Sequence, residues 1–527
     1  MLLAARIVPL AAQTPAPHPS PPALPAPAEV VLGRGRDLLE RNDPVLALTC
    51  FRRALCLAQD TTAVWPWLGR CHLELGAAAL SLRYLSAASV QLPAGNLPAG
   101  NLSAGDLSAG RLLASELAAL EVRARLRARD FDGALARAEA ALKAERARES
   151  SELWAAYASA LFRQQRNDEA AAAYRHVLAL DPLSVEAHIR LGSGLTAPCE
   201  AAVSDDLRGA VTLARSGHVA AAATAFGRVL DAEEGHPIAH RLLGETLLNQ
   251  RYHLSMPATA TEFVHLRQAW PEPEFDERVV PRFMPGFAHL TGSRRGAARR
   301  ALALFHSRLP RLVAMGGRHD LLDELERTTD DEGRASLRGR RTFDGRVWDD
   351  VRGMGGLRAA TGIESLDDAA QFGFDTLAHE LAHQVHLYTF TPVQRLRLRE
   401  LYRAAQRRGA FLDFYAASNE AEYFGQGVEA FHCLAKRPGC EVTHGHTRFE
   451  LLRVDPDLHA FIEDLVDFDS LRDASARERL LQAAAAAALR CGRWEDVGTA
   501  ADMMADGPDK RAWVAVAERA LLFGYPR

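Results

Sequence analysis

The residues with the clearest chemical pattern are two histidines and a glutamate within five positions: His379, Glu380 and His383. On a helix, residues four apart lie one turn apart on the same face, so both imidazoles can reach one zinc ion. Glu380 is turned by about 100° from His379, toward the open position on the metal. There it can accept a proton from a water molecule whose pKa the metal lowers to about 7. The spacing predicts a hydrolytic zinc site on a helix.

A zinc site of this kind needs a third protein ligand. In one class of such enzymes it is a histidine ten residues after the first, reached through a glycine at the seventh position. Here these two positions are Thr389 and His386, which excludes that class. His386 lies near the same helix face but about 10 Å along the axis from His379. We expect His386 to line the cleft or to form a hydrogen bond in the core, and the third ligand to come from another helix.

Two further helices that could supply this ligand follow the motif. Thr391-Pro392 predicts a helix start by a capping box and a first-turn proline, and this helix runs to Gly409. A third helix begins near Asn419. It carries three glutamates that are candidate ligands: Glu420, Glu422 and Glu429. Glu422 has an alternative role as the capping-box partner of Asn419.

Residues 419–424, NEAEYF, resemble the signature of the anthrax lethal factor-type metallopeptidases, and the similarity covers about residues 370–470. These enzymes are gluzincins, with HExxH on one helix and a glutamate ligand on a later one. The resemblance implies three zinc ligands, a base and a hydrogen-bond donor to the developing oxyanion: His379, His383 and Glu422, then Glu380, then Tyr415. Glu420 and Glu429 stay open as alternative ligands, and packing is the alternative role for Tyr415.

Two further features bear on this resemblance. Gln426 departs from the family pattern, which often has an acidic residue there, and this puts a contact behind the ligands in doubt. Asp344-Gly345, between Phe343 and Arg346, predicts a two-residue hairpin turn. By resemblance to gluzincins, this hairpin would offer an edge strand along which an extended peptide substrate lies.

Residues 29–253 show a second pattern, which is helical, alanine-rich and repetitive. Trp65, Leu68 and Gly69 follow W-x2-L-G, the opening of a tetratricopeptide (TPR) helix pair. A later unit has large, small and aromatic residues and a helix-ending proline at TPR spacings: Trp154, Ala158, Ala170, Tyr174 and Pro182. The segment is therefore similar to a TPR array, with a generic helical-hairpin solenoid as the alternative. In either case we expect a binding surface.

The remaining segments complete the expected organisation. Residues 1–28 predict a Pro-rich disordered N-terminus, and four copies of a five-residue unit predict a loop insertion at 91–110. Residues 254–470 are expected to form the zinc metallopeptidase domain, and residues 471–527 a C-terminal TPR-like helical pair. The expected fold class is mainly α with a small β component, in which a TPR-type α-solenoid flanks a gluzincin-like α+β domain.

Composition narrows the functional classes. The 527 residues have 63 Lys and Arg against 67 Asp and Glu, a net charge of −4 that argues against a nucleic-acid partner. No run of 18 apolar residues occurs, so we expect no transmembrane helix. Seven cysteines without a CxxC pair favour a reducing compartment. Arg6 and Pro9 interrupt the apolar start, so we expect a cytoplasmic protein, with secretion as the alternative.

Together these features predict a zinc metalloendopeptidase that uses Zn2+ and Glu380-activated water, with TPR repeats that recruit a protein partner or substrate. The alternative is a TPR interaction scaffold with an inactive or structural zinc site. A zinc hydrolase of a non-peptide substrate is a third hypothesis. We also expect residues 254–470 to hydrolyse a short peptide without residues 29–253.

Overall fold

The computed structural model describes residues 26–58, 61–91, 114–195, 202–255, 260–367, 372–437 and 445–524. Of these residues, 71% are in helices and 3% in strands, which confirms a mainly helical fold with little β structure. In these ranges no helix is long and apolar enough to cross a membrane. Residues 1–25 of the predicted disordered N-terminus lie outside the described residues. So do residues 92–110 of the predicted loop insertion.

The first half consists of consecutive helices that pack against their neighbours in the sequence. Their bounds are α1 Ala26–Glu40, α2 Pro44–Leu57, α3 Trp65–Glu74, α4 Ala78–Gln91, α5 Ala114–Arg127, α6 Phe131–Leu142, α7 Ser151–Arg163, α8 Asn167–Leu180, α9 Val185–Arg190, α10 Asp205–Arg215, α11 Val219–Ala232 and α12 Pro237–Ser255. We refer to α1–α12 as the repeat array.

Glycines lie where paired helices of the array cross closely. A Cβ atom at Gly35 would be 2.5 Å from the ring of Phe51, and one at Gly69 would be 2.6 Å from the side chain of Leu85. Phe51 and Leu85 are fully buried. The glycine of the W-x2-L-G motif therefore has the packing role that the repeat pattern predicts, with a small residue facing a large one.

The centre combines shorter helices with a small sheet. The helices are α13 Ala260–Ala269, α14 Val280–Phe283, α15 Gly292–Ala303, α16 Leu309–Ala314, α17 Thr376–Thr389, α18 Pro392–Arg408, α19 Glu420–His432, α20 Arg448–Val454 and α21 Pro456–Leu465. The strands are β1 Arg318–Leu322, β2 Gly353–Met354 and β3 Arg358–Gly362. The strand order is β1-β3-β2, with β1 parallel and β2 antiparallel to β3.

The predicted helix after the zinc motif is confirmed in detail. Thr391 and Gln394 form the reciprocal hydrogen bonds of a capping box, and Pro392 occupies the first turn of α18. Gly409 ends the helix in the left-handed conformation, with φ 64°.

The hairpin predicted around Asp344-Gly345 forms only as a turn, which we call the 341–347 turn. A single antiparallel bridge between Arg341 and Val347 closes it, and neither residue belongs to the three-stranded sheet. In this bridge the backbone N–H of Val347 points away from Arg341 and donates to the carbonyl oxygen of Gly194, in the repeat array, at 2.7 Å. The ladder ends because the backbone N–H of Arg340 donates to Leu337 O at 2.9 Å and residues 348–350 form a short 3-10 helix. The strand at the edge of the sheet beside α17 is β2.

Three helices lie where a C-terminal pair was predicted: α22 Arg477–Arg490, α23 Trp494–Asp502 and α24 Pro508–Gly524. Helix α22 shares a buried cluster with Phe263 and Leu266 of α13. On its other side, Arg490 forms an ion pair with Asp43 at 2.6 Å, and Asp43 caps α2. These last helices therefore contact both the central region and the start of the repeat array.

Candidate metal centre

Helix α17 carries the HExxH residues and begins at a well-defined cap. The carboxylate of Asp375 accepts a hydrogen bond from the backbone N–H of Ala378 at 3.0 Å. Every residue from 377 to 386 is buried, including the two histidines of the motif. Because the helix is enclosed by other elements, packing rather than solvent fixes the directions in which the imidazoles point.

Three side chains converge at this helix: His379, His383 and Glu422. The Nε2 atoms of the two histidines are 3.0 Å apart. Glu422 Oε2 lies 3.1 Å from His379 Nε2 and 3.5 Å from His383 Nε2. Among the described residues, these are the ones whose donor atoms form a group that could hold a metal ion.

The size and chemistry of this triangle fit zinc. Zinc binds imidazole nitrogen and carboxylate oxygen at about 2.0–2.2 Å, so two ligands of a tetrahedral site are about 3.3–3.6 Å apart. The three donor–donor distances, 3.0, 3.1 and 3.5 Å, lie in this range or slightly below it. Two nitrogens and one oxygen are also a ligand set that zinc uses in hydrolytic sites.

Helix α19 brings Glu422 to the histidines. Asn419 caps the helix, and its Oδ1 accepts hydrogen bonds from the backbone N–H groups of Ala421 and Glu422, both at 3.0 Å. The Glu422 side chain points to the histidines, while its backbone N–H is bound by the cap. Asn419 and Glu422 thus serve the same helix end in different ways, one as the cap and the other as a candidate ligand.

A glycine allows α19 to approach the imidazoles. A Cβ atom at Gly425 would lie 2.8 Å from His379 Cε1 and 3.0 Å from His383 Cε1. Any other residue would force one ring or the whole helix to move. Sequence reasoning missed Gly425, although a glycine inside a helix, where it costs about 1 kcal/mol relative to alanine, is itself a signal of close packing.

The charges at the site are mutually adjusted. Burial opposes ionisation of Glu422, but hydrogen bonds with His379 and then His383 hold the pKa of its carboxyl below the usual range. Burial also opposes the charge on His383, but the nearby Glu422 carboxylate raises the pKa of that imidazole. The Glu422 carboxylate therefore favours positive charge at His383.

Glu380 lies beside the triangle, against a stretch of backbone with little side-chain bulk. A Cβ atom at Gly353 would be 2.6 Å from Glu380 Oε1, and one at Gly355 would be 2.8 Å from His383 Cβ. Burial, opposed by His383 and reinforced by Glu422, raises the pKa of Glu380 to about 8. Sequence reasoning did not single out these two glycines, which let β2 and the residues after it pass close to the candidate base.

Tyr415 lies between the metal centre and the 341–347 turn. Its ring contacts that of Phe343, with centroids 5.5 Å apart. Burial raises the pKa of its phenol, and the charges that act on it are those of Glu422, Arg346, Asp344 and Glu380, in decreasing order. The phenol is thus near both the candidate third ligand and the candidate base. Arg346, which also lowers the pKa of Glu380, is a site neighbour that sequence reasoning missed.

The competing candidate ligands point elsewhere. Glu429 is fully buried, forms an ion pair with Lys436 and accepts the backbone N–H of Asp375 at 3.0 Å. Glu420 lies 3.5 Å from His386 Nε2 and 3.5 Å from Arg399. Neither glutamate belongs to the group formed by Glu422 and the two motif histidines.

Comparisons with known proteins identify the repeat array. A tetratricopeptide repeat family model matches residues 32–96, 120–192 and 207–253. The first half of the chain therefore contains TPR repeats, as the W-x2-L-G spacing predicted. All matched residues precede residue 254.

A solved structure of YrrB, described as a TPR protein with an unusual peptide-binding site, also resembles the chain. The match covers 40% of this chain and 89% of that one, at 16% sequence identity and a TM-score of 0.23. A comparison with curated proteins gives no match.

The close approach at Gly425 gives a first prediction. In Gly425→Ala the added methyl group displaces the imidazoles, so we expect zinc affinity to fall by about 10- to 100-fold, the range seen when residues that orient ligands are changed. Competition with a chelator of known affinity measures this. Gly427→Ala is the matched control, because a Cβ atom there meets Leu458 and Ile462 instead of the histidines. Equal zinc affinity in the two variants would contradict the role of Gly425.

The positions of the glutamates give a second prediction. Glu422→Ala removes one corner of the triangle, so zinc content after dialysis should fall well below one per chain. Glu429→Gln weakens the pairing with Lys436, so it should lower the thermal stability of the apo-protein but retain zinc. Metal analysis and thermal unfolding of both variants distinguish the two roles. Zinc loss confined to Glu429→Gln would reassign the third ligand.

Proposed function

We propose that the protein is a zinc-dependent metallopeptidase whose TPR repeats bind a protein or peptide partner. The convergence of His379, His383 and Glu422, with Glu380 beside them, is the observation that carries this proposal. The TPR repeats support a role in protein interaction. The resemblance of residues 419–424 to the lethal factor-type metallopeptidases supports the choice of a peptide as the substrate.

In this proposal His379, His383 and Glu422 hold zinc, which when bound supplies a Lewis acid that polarises the scissile carbonyl and acidifies water. Glu380 accepts the proton of the attacking water and then delivers it to the nitrogen of the leaving amine. Burial of this carboxyl favours the neutral form in which it can donate that proton. Tyr415 donates a hydrogen bond to the oxygen on which negative charge develops.

The sheet edge supports an extended substrate. Strand β2, Gly353–Met354, pairs with β3 on one side, and the Cβ position of Gly353 lies against Glu380. A peptide added along the outer edge of β2 would form main-chain hydrogen bonds and bring a carbonyl group toward the base. This assigns to β2 the role that sequence reasoning gave to the hairpin at Asp344-Gly345.

A second candidate function is a TPR scaffold with a structural metal site. The depth of the site favours it, since the two motif histidines, His379 and His383, are 4% and 7% exposed. The family model also matches residues of the repeat array and none after residue 253. The two functions differ in what they require of Glu380, because a metal that only stabilises the fold needs no base.

Replacement of the base separates these functions. Glu380→Gln keeps the size of the side chain but cannot accept a proton, so we expect about one zinc per chain and a loss of peptide hydrolysis. Incubation of the zinc-loaded parent and variant with a library of short peptides, read by mass spectrometry, measures this. Cleavage by neither protein would favour the scaffold. Loss of zinc from the variant would make Glu380 a ligand.

Tyr415 provides an independent test of the chemistry. Tyr415→Phe removes the hydroxyl group and keeps the ring that contacts Phe343. We expect unchanged zinc content, near-parental Tm and KM, and a kcat lower by roughly 10²- to 10³-fold, as for loss of one oxyanion donor. Steady-state kinetics on a cleaved peptide measures the two constants separately. A parental kcat would limit Tyr415 to packing.

A further inference from the structure

Two segments of the central region meet beside the metal centre. One is the 341–347 turn, which presents Phe343 and Arg346. The other is the stretch 411–415, which leads into α19 and carries Tyr415. The rings of Phe343 and Tyr415 touch at this meeting point, and Phe343 is 53% exposed. Both segments are irregular backbone, so their positions depend on what holds them.

The repeat array holds the 341–347 turn at two points. Asn167, at the start of α8, donates from Nδ2 to the carbonyl oxygen of Asp344 at 3.0 Å. Gly345, at φ 81°, comes so close that a Cβ atom there would overlap the Asn167 amide. At the end of the turn, the backbone N–H of Val347 donates to Gly194 O at 2.7 Å.

The repeat array also holds the segment that carries Tyr415. The guanidinium of Arg129, in the loop between α5 and α6, donates to the carbonyl oxygens of Phe411 and Leu412 at 3.2 and 3.0 Å. The ring of Phe414 packs edge-on against Phe131 at 5.4 Å, and Arg163 lies over its face at 4.8 Å. These three array residues lie in the α5–α6 loop, at the start of α6 and at the end of α7.

We infer that the repeat array is a structural part of the metal centre, and that Asn167 and Arg129 are positioning residues for Phe343 and Tyr415. This rests on the proposed peptidase function. The array fixes both segments from outside, so a displacement of either one moves the Tyr415 hydroxyl relative to the reacting carbonyl. Misplacement of a catalytic group by about 1 Å can cost up to about 10²-fold in rate.

On this inference, residues 254–470 would not act alone on a short peptide, in contrast to the expectation from the sequence. Without the array, the carbonyl groups of Asp344, Phe411 and Leu412 lose these donors, and the ring of Phe414 loses its contacts with the array. The inference also links partner binding to catalysis, because α8 carries both Asn167 and part of the TPR surface.

The test compares variants that disturb each contact without disturbing the metal ligands. Asn167→Asp keeps the side-chain size and suits a helix N-terminus, but it replaces the donor to Asp344 O with an acceptor. Arg129→Ala removes the side-chain donor to the carbonyl oxygens of Phe411 and Leu412. Arg129→Lys keeps a charged hydrogen-bond donor at position 129. Arg166→Ala is the control, because Arg166 adjoins Asn167 and pairs locally with Glu169.

Two readouts are needed. Hydrogen exchange of full-length zinc-loaded protein should speed up by roughly 10-fold in residues 341–347 for Asn167→Asp and in residues 411–416 for Arg129→Ala, as expected for one lost hydrogen bond. Kinetics with short fluorescence-quenched peptides, which cannot span to a TPR surface, should show kcat reduced by roughly 10-fold with KM nearly unchanged. Arg129→Lys should recover most of both, and Arg166→Ala should match the parent.

The outcomes separate this inference from the proposed function. Faster exchange with parental kcat, or parental exchange in both variants, would overturn the positioning role and leave the peptidase intact. Equal losses in Arg129→Lys and Arg129→Ala would overturn the role of the donor. An inactive parent would contradict the proposed function, and with it any catalytic role for the array, whatever the exchange rates show.

Discussion

The register between α17 and α19 is the constraint on which the candidate metal centre depends. Two glutamates of α19, two turns or about 10.5 Å apart, meet α17 at different points. Glu422 reaches the histidines, while Glu429 accepts the backbone N–H of Asp375 at the helix start and pairs with the buried Lys436. A shift of α19 by one residue would rotate both carboxylates by about 100° away from these partners. Gly425, between them, sets how closely the helices approach.

Glu429 and Lys436 also show that burial of a charge does not identify a ligand. Both side chains are fully buried, and the ammonium group of Lys436 donates to Gly373 O at 2.6 Å as well as to the carboxylate. Removing one member of a buried pair typically costs about 3–5 kcal/mol, because the other charge is left without a partner. This pair therefore stabilises the start of α17, although it does not touch the triangle.

Local patterns were enough to predict the elements but not the contacts between them. The capping box at Thr391 and the close crossing at Gly69 follow from neighbours in the sequence or one helix away, and both were predictable. The convergence of Glu422 with the histidines was expected only through the resemblance of residues 419–424. Spacing alone left Glu420 and Glu429 open, because their alternative partners, Arg399 and Lys436, are set by the tertiary fold.

The contacts that sequence reasoning missed join segments far apart in the chain. Asn167 and Asp344 are separated by 177 residues, and Arg129 and Leu412 by 283. Each contact uses a backbone carbonyl as the acceptor, so the amino-acid type at that position carries no signal. The hairpin prediction failed for a local reason, since the backbone N–H of Arg340 donates to Leu337 O and residues 348–350 form a short 3-10 helix instead of a strand. Repeat patterns predict which helices pair within the array. They do not predict which segments of the central region the array contacts.

The position of Glu380 bears on whether the proposed metal is catalytic or structural. Structural zinc sites use four protein ligands, whereas hydrolytic sites use three and leave one position open. Three side chains converge here among the described residues, and a fourth side chain, the carboxyl of Glu380, lies beside them, close to Gly353. Burial of a carboxylate is unfavourable unless a partner stabilises it. A structural metal site has no need of a buried carboxylate at Glu380. A hydrolytic site needs a base next to the reacting water, in a site from which bulk solvent is excluded.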